Sequence, residues 1–140
     1  FMEQCIIPFG EFNWWSILVA GLAAYFLGAL WYQKFLFGNA WMKLEGFKEE
    51  ELQEGFAVPM IITLFTTLLT AVVMEAIVIV FGANQLMYAI PITFMIGIIL
   101  MAGNTLSDYL FARKPMKLFW IVAMQRVVMI LLITIILILW

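Results

Sequence analysis

The sequence predicts an all-α integral membrane protein, a bundle of four transmembrane helices with both termini on the non-cytoplasmic side. Four apolar runs, at 14–32, 57–81, 88–107 and 118–140, each come near the ~20 residues that a helix needs to cross a ~30 Å hydrocarbon core. Composition leaves little for a soluble domain, since 66% of the 140 residues are hydrophobic and only 11% are charged. The placement of basic residues sets the orientation. Lys34, Lys43 and Lys48 follow the first run, and Arg113, Lys114 and Lys117 follow the third. The N-terminal segment, the 82–87 turn and the C-terminus carry none, so the positive-inside rule puts both basic segments in the cytoplasm. Residues 1–140 thus read as a single membrane domain in the cell inner (cytoplasmic) membrane.

A soluble bundle is excluded by the fourth run, whose clear polar residues are only Gln125, Arg126 and Thr134, leaving no solvated face. Histidine is absent, which removes the commonest ligand for haem, zinc and copper and the usual neutral-pH proton shuttle. The lone cysteine, Cys5, excludes an internal disulfide. No cofactor, metal or nucleic-acid partner is expected; the lipid bilayer is the partner that the composition does imply.

The first span opens on Trp14 and Trp15 and closes on Trp31 and Tyr32, amphipathic rings suited to the headgroup layer. Neither a basic segment before it nor a small-residue cleavage site after it marks a signal peptide, so it is expected to stay as an anchor. Ala20, Ala24 and Gly28 recur every four residues and form a seam that lets another helix approach closely. In the 33–56 loop, the apolar residues from Phe35 to Leu44 suit the membrane surface, with Lys34 and Lys43 reaching headgroups. Residues 47–54 read as a short acidic helix stopped by Gly55. They lack the alternating oxygens and turn glycine of a metal loop, so a solvated face is the better reading.

The second span has Pro59 in its first turn, where no backbone donor is needed. Its Thr63, Thr66, Thr67 and Thr70 are expected to bond their own backbone carbonyls. Tyr88 opens the third span, and Pro91 is read into its first turn. Thr93, Gly97, Asn104 and Asp108 fall within about 60° of one another at helical periodicity, giving a small-and-polar stripe on which Gly97 extends the packing seam. Trp120 and Trp140 flank the fourth span.

Ionisable groups at membrane depth are the functional candidates. Arg126 lies on the fourth span, and the short turn before it makes the third and fourth spans antiparallel neighbours whose side chains lean toward each other. Arg126 is therefore expected to bond Asp108, Asn104 or both. A register-setting pair is the first reading of that contact. Contact with another subunit or a lipid phosphate, or a hydrated transport path, are the others. Glu75, in the outer third of the second span, is a possible partner or proton site. It is protonated, bonded to Thr134 at similar depth, or matched by another protein.

The run Asn13-Trp14, Gly28-Ala-Leu-Trp-Tyr32, Phe37-Gly38 and Ala40-Trp-Met42 resembles the opening of a family of small four-helix bacterial membrane proteins, the domain of unknown function 1761 family. Residues 111–118 resemble the basic turn that precedes the family's last helix. The resemblance implies a membrane fold and no established activity, and gives no role to Glu75 or Arg126.

No nucleophile–base pair or glycine-rich phosphate loop appears, so the chain is not expected to be an enzyme. It reads as a structural or accessory subunit packing within a larger membrane complex or a homo-oligomer. The alternative is a small oligomeric proton- or cation-coupled transporter using Glu75 or Asp108. Repeats, broken helices and clustered midplane carboxylates, common in transport folds, are not evident.

Overall fold

The computed structural model describes residues 9–33, 35–46, 57–82 and 85–140. A 3-10 turn at Phe9–Glu11 precedes α1 (Trp14–Trp31), α2 (Gly38–Glu45), α3 (Ala57–Val80), α4 (Leu86–Phe111) and α5 (Met116–Leu139). No strand occurs among the described residues. All but α2 are long and apolar enough to cross a membrane. The acidic segment 47–54, Lys34, Lys48 and Cys5 lie outside the described residues.

Local chemistry explains where α1 begins. Asn13 is its N-cap, and the Asn13 side chain accepts the Ser16 backbone N–H at 3.3 Å while the Ser16 hydroxyl donates to the Asn13 carbonyl at 2.8 Å. At the other end the chain folds back at once. Phe37 N–H bonds Trp31 O at 3.1 Å, Gly38 N–H bonds Gln33 O at 2.9 Å, and the Phe37 ring stacks on Trp31 at 4.7 Å. A side chain at Gly38 would run into the Tyr32 carbonyl oxygen and lie 2.8 Å from the Gln33 carbonyl carbon. The Phe-Gly pair is thus a steric requirement of the turn. α2 ends on Gly46 at φ 80°, the left-handed residue common after a helix.

α5 is the central helix and packs on α1, α2, α3 and α4, while α1 also packs along α3. In lipid, apolar burial drives association weakly, so close backbone approach and interhelical hydrogen bonds matter more. Ala20, Ala24 and Ala71 are fully buried beside Met74, Ile130 and Ile133. The seam on α1 therefore faces its own chain. Gly28 continues that seam toward α5, where a side chain would come within 3.2 Å of Gln125 Nε2. Gly21, which the four-residue spacing omits, sits where a Cβ would lie 3.2 Å from the Leu68 Cα on α3. Gly97 admits α5 in the same way, its missing Cβ falling 3.3 Å from Ile130.

α4 is uneven along its length. It starts at Leu86 rather than Tyr88, so Pro91 lies within the helix and its missing N–H leaves the Met87 carbonyl without that i+4 bond. Ile96–Ala102 is π-helical, and Gly103 N–H reaches back five residues to Ile98 O. α-Helical geometry then resumes from Gly103 to Phe111. Each such wide turn holds roughly one residue more than an α-turn and rotates everything beyond it by about 100°.

Above this stretch, the Thr93 and Thr134 hydroxyls, both fully buried, meet at 2.8 Å across α4 and α5. Each also lies on its own preceding carbonyl, Ala89 O at 2.8 Å and Ile130 O at 3.0 Å. A double-mutant cycle with Thr93→Val and Thr134→Val, read by unfolding in mixed micelles, is expected to give a coupling of about 0.6 kcal/mol, typical inside membranes. A coupling near zero would mean the two hydroxyls serve only their own helices.

Candidate functional site

Two polar centres lie within the bundle, one near each end. At the end where α1 begins, Glu75 on α3 is 8% exposed, and the backbone N–H of Asn13 is directed at its carboxylate. In a capping box, a Glu three residues into a helix accepts the N-cap residue's own N–H. Here that third position is Ser16, which bonds Asn13 differently, and the carboxylate arrives from a neighbouring helix. Glu75 thus lies beside the α1 cap, next to the positive end of the helix dipole. Thr134, the intrachain partner considered for it, is engaged by Thr93 instead.

The second centre surrounds Arg126. Its guanidinium Nη1 donates to the Thr105 hydroxyl, not to Asp108 or Asn104. Among the described residues the one ion pair, Lys114–Glu45 at 3.5 Å, does not include it. The π-helical stretch explains this correction. An uninterrupted α-helix would put Thr93, Gly97, Asn104 and Asp108 on one face. A one-residue phase shift after Gly97 brings Thr105 into line instead, and Thr105 is 2% exposed while Asn104 and Asp108 are exposed. Asn104 turns back to bond Leu100 O within its own helix.

Around Arg126 the cytoplasm-facing ends expected from sequence come together. Tyr32, at the end of α1, is within electrostatic reach of Arg126, Tyr109 and Glu45. Lys114 Nζ bridges Glu45 at 3.5 Å and lies 5.0 Å from the Tyr109 ring centroid, so both basic segments occupy the same end of the bundle. That bridge is half-exposed and contributes little energy, but it fixes where α2 lies. Trp31, read from sequence as a headgroup-layer ring, is half-buried and donates its indole N–H to Ile121 O at 3.1 Å.

The threonines of α3 do what their spacing implies. Thr63 bonds Pro59 O, Thr66 and Thr67 bond Thr63 O, and Thr70 bonds Thr66 O. No group of three or more Cys, Asp or Glu able to hold a metal occurs among the described residues. Two grooves beside α3 are lined by apolar side chains such as Ile17, Leu68, Phe12 and Ala76, and offer nothing to a polar substrate.

Four helices long and apolar enough to cross a membrane, joined by single polar contacts, fit a small all-helical protein of the multipass membrane class. A family model described as a protein of unknown function (DUF1761) matches residues 15–138, and the chain belongs to that family. No curated protein and no solved structure matches it.

Proposed function

We propose that this protein is a non-enzymatic structural or accessory subunit of the inner membrane that packs against a second copy or a larger membrane protein. Both termini lie outside the cytoplasm, following the lysine and arginine bias of the two connecting segments. The observation that carries the reading is the outer flank of α4. Only 17% of the most apolar stretch of α4 is buried, against 44% for α5. On that lightly packed helix Asn104, Ser107 and Asp108 are exposed, and Asn104 lies about 10 Å in from the helix end by helical rise. Polar side chains at that depth favour a protein neighbour over hydrocarbon.

A transport role is less well supported. Glu75 is buried at the end of the bundle where α1 begins, away from Arg126, and no hydrogen bond between described residues links the two. Gentle purification from the native membrane is the test. A stoichiometric larger partner, or a stable homo-oligomer broken by Asn104→Leu, is the expected result. A lone monomer, or a substrate flux abolished by Glu75→Gln, would overturn it.

A further inference from the structure

Arg126 stands on the wrong face of α5 for a side chain that meets lipid. Phe119, Val122, Ile130, Ile133 and Leu137 are all under 10% exposed, and by helical periodicity they span an arc of about 80° with Arg126 at its centre. Every member of that inward stripe is buried except Arg126, which is exposed. Something that ought to cover it is missing at that level.

The missing cover is α3. Its inward residues Thr67, Ala71 and Met74 are buried, but from Ala57 to Thr66 no residue is buried, and all but Leu64 are exposed. Thr67 and Arg126 each lie ten residues in from the same end of their helices, about 15 Å by helical rise. The half of α3 on the Arg126 side of Thr67 is thus unpacked at the depth where the guanidinium begins. Thr105 holds one amino group of Arg126, and the remaining guanidinium donors have no hydrogen-bond partner among the described residues. The hydroxyl of Tyr32, half-buried and without a hydrogen bond among the described residues, is a further donor within electrostatic reach of Arg126. The side chain leans along α5 toward its N-terminal end, which brings the charge to the level of Thr105, about 9 Å from the end of α4.

A guanidinium at that depth whose one partner among the described residues is a hydroxyl needs an anion. Of the described carboxylates, two are candidates and neither fills the need. Glu45 is taken by Lys114, and Asp108 lies about 60° round α4 from Thr105, exposed and unbonded to Arg126. We propose that this site binds the phosphate of a membrane lipid, held by Arg126 and Tyr32, with its acyl chains against the unpacked half of α3. Arginine suits this task because its planar fork meets phosphate oxygens in pairs. The apolar walls, Met60 and Leu64 on the inward line of α3, favour a lipid over a free anion. The proposal rests on the membrane-spanning reading and is independent of the accessory role.

The test uses the full chain, delipidated in a neutral detergent and titrated with short-chain phosphatidic acid or, separately, with inorganic phosphate, followed by native mass spectrometry. One saturable lipid per chain is expected. Arg126→Gln should weaken it at least about tenfold, or 1.4 kcal/mol. Tyr32→Phe should weaken it several-fold, and Asp108→Asn not at all. Arg126→Lys keeps the charge without the fork, so it guards against misfolding and should weaken binding by less than Arg126→Gln. Binding unchanged in Arg126→Gln, strengthened in Asp108→Asn, or shown by inorganic phosphate alone would overturn the proposal. Co-purification with a partner protein, with no lipid bound, would overturn it while leaving the accessory reading intact.

Discussion

Gly38→Ala is expected to cost about 3 kcal/mol, the upper end of the usual penalty for overpacking. The new methyl would meet backbone, the Tyr32 carbonyl oxygen and the Gln33 carbonyl carbon, which no rotamer change can move. Relief requires opening the turn that bonds Gly38 N–H to Gln33 O and stacks Phe37 on Trp31. α2 would then lose its place beside α5, and Glu45 its bridge to Lys114. Unfolding by SDS in mixed micelles should show the loss directly. Gly46→Ala is the matched control. No atom lies within 4 Å of its missing Cβ, so only the left-handed backbone at φ 80° resists, at about 1–2 kcal/mol.

Glu75→Ala is the second large effect, expected at about 2 kcal/mol, the range of a hydrogen bond to a charged group. It removes the buried carboxylate that the Asn13 N–H approaches at the start of α1. Glu75→Gln keeps an acceptor and should recover roughly half of the loss, consistent with a neutral bond being about half as strong. Asn13→Ala removes the other half of the same cap at about 1 kcal/mol. The two sites should couple, so that the double substitution costs less than the sum. An additive pair would show that Glu75 does not act through the α1 cap.

How much of this was legible depends on the length scale of the signal. The spans are written as continuous apolar runs, and the starts of α1 at Trp14 and α3 at Ala57 coincide with the ends of those runs. The seam of Ala20 and Ala24 was legible too, since small residues at four-residue spacing have one packing use. Gly21 was not, because it falls off that spacing and its role depends on how closely α3 approaches through Leu68.

Helical phase limits how far side-chain partners can be read from sequence. The sequence pairs Arg126 with Asp108 or Asn104, whereas the structure gives it Thr105, one position beyond Asn104 on α4. Nothing in Ile96–Ala102 announces a π-helical turn, and one extra residue per turn replaces Asn104 with Thr105. Pro91 entered the helix because the run at 88–107 gave no sign that Leu86 and Met87 would join it. Glu75 is a different case. The group it approaches is the backbone N–H of Asn13, and backbone groups leave no trace in a list of side chains.

Every placement of these groups relative to water rests on the threading of the chain through the bilayer. Single-cysteine variants in a Cys5→Ser background, treated in intact cells with a maleimide that does not cross membranes, test it most directly. The Gln85→Cys variant should react from outside, whereas Lys43→Cys and Lys114→Cys should react only after the membrane is opened. Reaction of either lysine-position variant in intact cells would contradict the account.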